Sequence, residues 1–212
     1  MSKNYVDKIV KHYESCLHKY GDSHLGVDWP KAEDVNKRYS VMLDIIRFDI
    51  VTTPNPSILD FGCGTAQLLN YINESGTKQL RYSGLDISEK YVELSRSKFP
   101  TNLFYCLDIL EEAGHRLPNF DYVVMNGVFT EKRELSFEEM WEYLCKMVFK
   151  IFGISNRGIA FNVMSKAVEW ERDDLFHLPT DLLIDFLTKN LTRNFIIRND
   201  YGLYEYTVYI YK

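Results

Sequence analysis

A glycine turn directly follows a short hydrophobic run, as ILDFGCGTA over residues 58–66. Gly62 and Gly64 lack side chains, so the backbone can approach a ligand closely beside the N-terminus of the next helix. Turns that bind dinucleotides carry a third glycine where this chain has Gln67, which argues against a pyrophosphate at this turn. The alternative is that both glycines serve only a tight connection between a strand and a helix.

Three aspartates, Asp60, Asp86 and Asp108, stand at or just after the ends of successive hydrophobic runs. Asp86 lies where doubly wound nucleotide-binding folds place a carboxylate on ribose hydroxyls. Asp108 could accept a hydrogen bond from an adenine amino group, with Ile87 and Ile109 on the two faces of the ring. Each aspartate could instead cap the helix that follows. Three at successive strand ends favour one shared ligand site, because open α/β sheets bind ligands at that edge.

These residues need a sheet to position them, and the hydrophobic pattern supplies one. Runs of strand length alternate with helix-like stretches through the middle of the chain, and the last two runs flank the turn NDYG at 199–202, which predicts an antiparallel hairpin. The predicted strands are 57–61, 82–85, 103–106, 122–125, 158–163, 195–198 and 203–211. We therefore predict an α/β fold, Rossmann-like and doubly wound, with a mostly parallel seven-stranded sheet and an antiparallel C-terminal hairpin.

Helical periodicity opens the chain over residues 5–17 and resumes after Pro30. Ser136 and Glu139 have the spacing of a capping box at the start of a further helix, and residues 180–191 give another. The length of 212 residues suits one domain. We expect a single domain over 1–212, with 1–48 as an N-terminal helical lid or cap and 49–212 as a ligand-binding α/β core.

Several motifs now agree in their order along the chain: LDFGCGTA, GLDIS, CLDI and DYVVMNGVF. They resemble the motifs of class I S-adenosylmethionine-dependent methyltransferases, and the closing YGLYEYTVYIYK is similar to the final hairpin of that fold. This resemblance covers about residues 45–212. Through HYESCLHKYGDSHLGVDWP and VEWERDDLFH the chain also looks like small methyltransferases of bacterial surface-polysaccharide (capsule or O-antigen) pathways.

The resemblance implies S-adenosyl-L-methionine as the cofactor and assigns residues to its parts. The methionine part would be surrounded by Asp60, Gly62, Cys63 and Gly64, the ribose would be held by Asp86, and the adenine by Ile87, Asp108 and Ile109. The floor near the sulfonium would be formed by Asn126, Gly127 and Val128. Arg38 could pair with the cofactor carboxylate, because a planar guanidinium matches a carboxylate, or could be a solvated helix residue.

The acceptor side is less determined by the sequence. His24 and His177 are candidate general bases, with structural or surface roles as their alternatives. His12 and Tyr13 lie on the first helix, which could fold over the cofactor; core packing is the alternative for Tyr13. Rings in predicted loops could wall the acceptor pocket: Trp29, Phe129, Trp170 and Phe176.

Composition limits the partners. The formal net charge is −5, and no run of Lys and Arg would follow a phosphate backbone, so we expect no nucleic-acid partner. Four cysteines occur singly, without zinc spacing, and the transfer of a sulfonium methyl requires no metal. No signal peptide or apolar membrane span is evident, which favours a cytoplasmic protein without membrane insertion.

We therefore expect an S-adenosylmethionine-dependent enzyme acting on a small polar molecule. The methylated atom is expected to be an oxygen of a saccharide or of a saccharide-linked phosphate or phosphoramidate in surface-glycan biosynthesis. The alternative is a noncatalytic cofactor-binding partner or regulatory subunit with the same fold. A nicotinamide oxidoreductase is a weaker third option, and the sequence leaves the oligomeric state undecided.

Overall fold

A computed structural model describes residues 3–50, 54–76, 80–111 and 117–212. Their strands form one mixed sheet in the order β3-β2-β1-β4-β5-β8-β7, and a two-residue strand, β6, pairs with the end of β5. The strands are β1 Ser57–Phe61, β2 Arg81–Asp86, β3 Leu103–Cys106, β4 Phe120–Met125, β5 Ser155–Ser165, β6 His177–Leu178, β7 Phe195–Arg198 and β8 Glu205–Tyr211. The predicted fold class is confirmed, and β6 makes eight strands where seven were predicted.

The first five strands of the path pair in parallel, whereas β8 runs antiparallel to both β5 and β7. Glu205 at the start of β8 pairs with Met164 near the end of β5. The start of β8 therefore lies at the same sheet edge as the carboxyl ends of the parallel strands. Ligands of open α/β sheets bind at this edge.

Six α-helices cover the sheet within the described residues: α1 Lys3–Tyr20, α2 Ala32–Arg47, α3 Gln67–Glu74, α4 Glu89–Lys98, α5 Phe137–Ile154 and α6 Thr180–Asn190. Successive residues of β1 point to opposite faces, so Ile58 packs with α2, α3 and α4, while Leu59 packs with α5 and α6. Both side chains are fully buried. The near-continuous hydrophobic runs in the sequence reflect this burial on two faces.

The N-terminal segment divides into two parts that behave differently. Met42 and Ile45 of α2 are buried in the core against the sheet, so α2 belongs to the helical layer. By contrast, α1 and the short 3-10 turn Leu25–Val27 lie over the sheet edge, where Tyr13 and Val27 line a cavity. The division into a cap over 1–48 and a core over 49–212 stays a prediction.

Among the described residues, no helix combines the length and apolar character needed to cross a bilayer.

Candidate active site

A cavity of about 200 Å³ opens at the carboxyl ends of the parallel strands, beneath α1. Two groups of residues on its wall differ in how they are built. The turn side comprises residues 60–64, 86–88 and 107–109; the cluster side comprises Tyr13, Glu131 and Arg133. The turn side is built by consecutive segments that follow strands, whereas the cluster side joins α1 to the segment after β4.

The glycine turn occupies the centre of the turn side. Gly62 and Gly64 have φ of 74° and 52°, a left-handed backbone that favours glycine. A Cβ on Gly62 would lie 2.8 Å from Val128 Cγ2. The backbone amides of Gly62 and Cys63 both donate to the carbonyl of Leu85, which fixes the turn against β2. The bare backbone is therefore required here, both by its conformation and by the close approach of Val128.

Asp86 connects the turn to the next strand. Its carboxylate accepts hydrogen bonds of 2.9 Å from the amides of Gly64 and Ser88. Burial raises the pKa of Asp86, and these backbone amides oppose that rise. Each carboxylate oxygen can accept more than one hydrogen bond, so the group keeps capacity for a diol. Asp86 lines the cavity, and the ribose role that the resemblance implies for it stays a prediction.

Asp60 is the most deeply enclosed carboxyl group on the wall, with 4% of its surface exposed. The Tyr82 hydroxyl donates to its Oδ2 over 2.7 Å. Burial raises the pKa of Asp60 to about 7, the Tyr82 bond acts to lower it, and the charge of Asp86 raises it further. A cationic group of a ligand placed beside Asp60 would favour the ionised carboxylate.

The end of the turn side near β3 is apolar. Ile87 and Ile109 line the cavity as predicted, and the Asp108 carboxylate accepts a 2.8 Å hydrogen bond from the Leu110 amide. The sequence did not identify Leu107 or three residues of α5 that also line this end: Met140, Tyr143 and Met147. Their helical spacing resembles ordinary core packing, so periodicity alone could not assign them to a cavity.

Asn126 has buried side-chain oxygen and nitrogen atoms, and neither has a hydrogen-bond partner among the described residues. Since buried polar groups are normally paired, this amide in the cavity wall is suited to a ligand. The adjacent Gly127 has φ of 82°, and its amide donates to Asn162 Oδ1 over 2.7 Å. Together with Val128, these residues line the cavity, and their predicted place near the sulfonium stays a prediction.

Arg38 differs from its predicted place. It is not among the described residues that line the cavity. Its Nε instead donates to both carboxylate oxygens of Glu205, at 3.1 and 3.0 Å. Glu205 in turn accepts from Asn162 Nδ2 over 3.0 Å, and Asn162 holds Gly127. The guanidinium also lies 5.3 Å from the Trp29 ring centre. Arg38 thus supports Gly127 through Glu205 and Asn162. To pair directly with a ligand carboxylate, its guanidinium would first have to leave Glu205.

The cluster side contains charged groups that the sequence did not single out. Arg133 Nη2 lies 2.6 Å from Glu131 Oε2 and 3.1 Å from Asp28 Oδ2. The same Asp28 oxygen lies 2.7 Å from His12 Nε2. Tyr13 lines the cavity beside them, and its pKa is raised well above the usual value by burial and by the charges of Glu131 and Asp28. Of the two residues predicted on α1, Tyr13 lines the cavity, whereas His12 is not among the described residues of its wall and instead contacts Asp28.

The two predicted bases lie elsewhere. His177 Nδ1 is 2.6 Å from the Ser165 carbonyl oxygen, and its Nε2 accepts from the Arg172 amide over 3.3 Å. Both ring nitrogens are thus engaged by backbone, and the buried ring holds β6 against the end of β5. His24 precedes the 3-10 turn, and neither histidine is among the described residues lining the cavity. Their predicted position at the acceptor is not observed.

The four aromatic side chains expected around the acceptor also differ in whether they reach the cavity. Trp29 lines the cavity and lies against Gly127. Phe129 and Phe176 are fully buried in the core, because the Phe176 amide donates to the Thr130 carbonyl and draws both segments under the sheet edge. Trp170 is 55% exposed and packs on Tyr204. Of these four rings, only Trp29 is placed to contact a ligand in the cavity.

Comparisons with known proteins agree with this geometry. A family model described as a methyltransferase domain matches residues 59–146. A provisionally named methyltransferase of Mycobacterium tuberculosis, Rv1506c, is 28% identical over 169 residues, which is 77% of this chain and 98% of the relative. The matched domain begins in β1 and includes the glycine turn, the three strands β2, β3 and β4, and the segment that carries Asn126.

Solved structures share the fold at low identity. Magnesium protoporphyrin IX methyltransferase from Synechocystis PCC 6803, solved with S-adenosylmethionine, is 17% identical with a TM-score of 0.62, covering 97% of this chain and 96% of its own. The plantazolicin methyltransferase BpumL, solved with a pentazolic desmethylPZN analogue and S-adenosylhomocysteine, is 13% identical with a TM-score of 0.59, covering 100% of this chain and 99% of its own. The fold is that of the class I methyltransferases. The family-model match, together with neighbours solved with S-adenosylmethionine or S-adenosylhomocysteine bound, supports S-adenosylmethionine as the cofactor.

Proposed function

We propose that this protein transfers a methyl group from S-adenosylmethionine to an oxygen of a small polar acceptor, in the class of saccharides and saccharide-linked phosphates or phosphoramidates. The observation that carries the proposal is one continuous cavity. Its wall combines the glycine turn and Asp86 with the unpaired amide of Asn126 and the charged residues of the cluster side. A donor and an acceptor could therefore meet within a single enclosed space.

The turn side fits the donor by its own chemistry. The bare backbone at Gly62 and Gly64 admits a close ligand, Asp86 can accept from ribose hydroxyls, and Asp60 can balance a cationic ammonium. The apolar end near Ile87 and Ile109 suits a flat heterocycle. When bound, S-adenosylmethionine supplies a methyl group already activated by its positive sulfur. The chain then has to orient the acceptor and exclude water.

The position of α1 supports a small acceptor. Ile9, Val10 and Tyr13 close the cavity from above. Ion pairs fasten this helix to the rest of the chain, including Glu14 to Lys90 at 2.6 Å and Lys8 to Glu134 at 2.5 Å. The Tyr91 hydroxyl also lies 2.8 Å from the Tyr13 carbonyl oxygen. In this closed arrangement a polymer segment would have to displace α1, whereas a monosaccharide-sized molecule would not.

A noncatalytic cofactor-binding partner is the competing function. An unpaired amide at Asn126 and a charged cluster facing the same cavity favour the enzyme, because a protein that only binds the cofactor does not need acceptor contacts. The surface-glycan pathway, the cytoplasmic location and the absence of nucleic-acid partners stay predictions. The related structures act on a porphyrin and on plantazolicin, so kinship alone does not select the acceptor.

The test is an incubation with S-adenosylmethionine and separate pools of saccharides, nucleotide sugars, peptides and short RNA, followed by quantification of S-adenosylhomocysteine. We expect product above the acceptor-free background only with the carbohydrate pools, and mass spectrometry should then show an added methyl group on oxygen. Binding of S-adenosylhomocysteine without turnover in any pool would favour the noncatalytic function. Turnover confined to peptides or RNA would contradict the proposed acceptor class.

A further inference from the structure

Glu131 is held firmly at the cavity wall although it lies outside the named strands. Its backbone forms an isolated antiparallel bridge with Leu175. The amides of Lys132 and Arg133 both donate to the Asp174 carbonyl, at 3.0 and 2.9 Å. Arg133 itself has a left-handed φ of 48°, which turns the chain sharply after Lys132. The backbone of Glu131 is thus fixed by these contacts, and its carboxylate is held by Arg133 at 2.6 Å, as support for a group that acts on a ligand.

The groups nearest to Glu131 are Arg133 and Asp28, and Asp28 also contacts His12, whose Nε2 lies 2.7 Å from Asp28 Oδ2. The Glu131 side chain is 20% exposed, and Arg133 is shared between Glu131 and Asp28. Two carboxylates therefore face one guanidinium in a partly dehydrated space. Within the proposed acceptor class this favours the saccharide hydroxyl over the ionised phosphate oxygen, because the hydroxyl would meet a carboxylate able to accept its hydrogen, whereas the anion would be repelled by Glu131.

Unpaired donors and acceptors accompany the carboxylate. Arg133 Nε is buried without a hydrogen-bond partner among the described residues, as are both side-chain atoms of Asn126. All three residues, Asn126, Glu131 and Arg133, line the same cavity. A molecule with several hydroxyl groups could satisfy these atoms together, because each hydroxyl both donates and accepts.

We propose that Glu131 removes the proton from the acceptor, and that the acceptor atom is an uncharged hydroxyl oxygen, as on a sugar ring; this rests on the proposed function. The hydroxyl oxygen forms the new bond to the methyl carbon with one of its electron pairs. The carbon–sulfur bond breaks, and its electron pair stays on sulfur to give the neutral thioether. The hydroxyl proton passes to the Glu131 carboxylate and later to water.

Other groups at the cavity are committed elsewhere. Asp60 receives the Tyr82 hydroxyl, and Asp86 receives two backbone amides of the turn side. Tyr13 holds its proton strongly because burial raises its pKa. Burial also raises the pKa of Glu131, and a more basic carboxylate is a better proton acceptor. The fourth carboxylate of the described wall, Asp108, accepts from the Leu110 amide. Burial raises the pKa of Asp60 and Asp86 as well, so position decides: Glu131 is the carboxylate that stands on the cluster side, apart from the turn side expected to hold the donor.

A binding experiment tests this without a known acceptor. Sinefungin carries an amine-bearing carbon where S-adenosylmethionine has its methyl sulfonium, so its ammonium probes the place where the transferred methyl would lie. The dissociation constants of sinefungin and S-adenosylhomocysteine are measured by calorimetry at pH 7.5. We expect the wild type to prefer sinefungin about 10-fold, a difference of about 1.4 kcal/mol. Glu131→Gln should reduce that preference to less than about 2-fold while leaving the S-adenosylhomocysteine affinity nearly unchanged.

Glu142→Gln is the matched control, since Glu142 is an exposed carboxylate that pairs with Lys146, and it should keep the wild-type preference. If Glu131→Gln fails to bind S-adenosylhomocysteine, the ratio is taken from Glu131→Ala, which also removes the charge and should lose the preference, while Glu131→Asp, which keeps the charge, should retain it. Equal preferences in the wild type and Glu131→Gln would overturn the role of Glu131. Binding of neither ligand by the folded wild type would instead overturn the proposed function.

A separate assay tests the acceptor class. In the carbohydrate pools, each neutral sugar is paired with its phosphorylated counterpart. We expect methyl transfer to a hydroxyl group of the neutral member. Methylation of a phosphate oxygen would contradict this part of the inference.

Discussion

The turn side and the cluster side of the cavity are built in opposite ways. Contacts of the turn side follow from neighbouring strand ends, with Gly62 and Asp86 held by backbone amides and carbonyls. Contacts of the cluster side join distant segments through side chains, as when Arg133 reaches Asp28 across 105 positions of sequence. The turn side is therefore fixed by the sheet itself, whereas the cluster side depends on α1 remaining in place.

This difference indicates a division of labour. A backbone-built site presents the same atoms whatever side chains surround it, which suits a ligand that never changes. A site assembled from side chains on separate segments can be altered without disturbing the sheet, which suits an acceptor that differs between related proteins. The following substitutions test whether the two sides are in fact separable.

The largest effect is expected at Asp60 and depends on pH. With a pKa of about 7 in the folded protein, against roughly 4 in an unfolded chain, Asp60 keeps a proton between these pH values that the unfolded chain has lost. Its contribution to stability is therefore greatest at low pH and declines as the pH rises toward 7. Asp60→Asn should remove this decline, which amounts to at most about 4 kcal/mol of unfolding free energy. The asparagine side-chain oxygen can still accept the hydrogen bond from Tyr82. Urea unfolding of both proteins at pH 4.5 and 8 measures it; parallel pH curves would contradict it.

The second effect is on donor binding. Asp86→Ala removes the acceptor of two backbone hydrogen bonds and the expected partner of the ribose hydroxyls. We expect the affinity for S-adenosylhomocysteine to fall at least about 100-fold, roughly 3 kcal/mol, in calorimetric titration. Asp185→Ala, which replaces an exposed aspartate paired with Lys189, should bind like the wild type. Unchanged binding by a folded Asp86→Ala would remove the turn side from the donor site.

A smaller effect is expected on the cluster side. Arg133→Met leaves Asp28 and Glu131 without their shared guanidinium, which should weaken the hold of α1 on the cavity. We expect S-adenosylhomocysteine to dissociate about 10-fold faster in stopped-flow displacement, roughly 1.4 kcal/mol, because the roof opens more often. Arg47→Met is the control, since Arg47 is 76% exposed and lies on α2. An unchanged dissociation rate would show that the two sides do not communicate.

The smallest effect is expected at His24, which is not among the described cavity residues. His24→Gln should change neither the affinity for S-adenosylhomocysteine nor the preference for sinefungin by more than about 2-fold, roughly 0.4 kcal/mol. A loss of sinefungin preference comparable to that of Glu131→Gln would restore the histidine as a candidate base and weaken the distinction between the two sides.

Sequence reasoning located the turn side because its signals are local. A hydrophobic run, a glycine turn and an acidic strand end lie within a few residues of one another, and the parallel sheet brings successive strand ends together. The same reasoning placed the strands well but missed β6, since two residues carry no periodicity. The interior helical residues Met140 and Met147 could not be distinguished from ordinary core.

The cluster side could not be read in this way. Glu131 and Arg133 lie in a polar stretch that resembles a solvated loop, and nothing in their spacing points to Asp28. The prediction for Phe129 and Phe176 was wrong in the opposite direction. Both rings lie in segments that the sequence pattern assigned to loops, and they were expected to contact the acceptor. Tertiary hydrogen bonding draws both loops inward and buries the two rings. The pattern of residues adjacent in sequence carries no information about such long-range contacts.

The bridge between Glu131 and Leu175 has a consequence for engineering. Residues 166–176 are absent from the described cavity wall, yet through Leu175 and Asp174 they determine where the Glu131 carboxylate stands. A combinatorial library that varies 166–173 and leaves every wall residue intact should therefore yield variants with new acceptor preferences and an unaltered donor affinity. Acceptor selectivity could then be retuned from a loop that lies outside the described cavity wall.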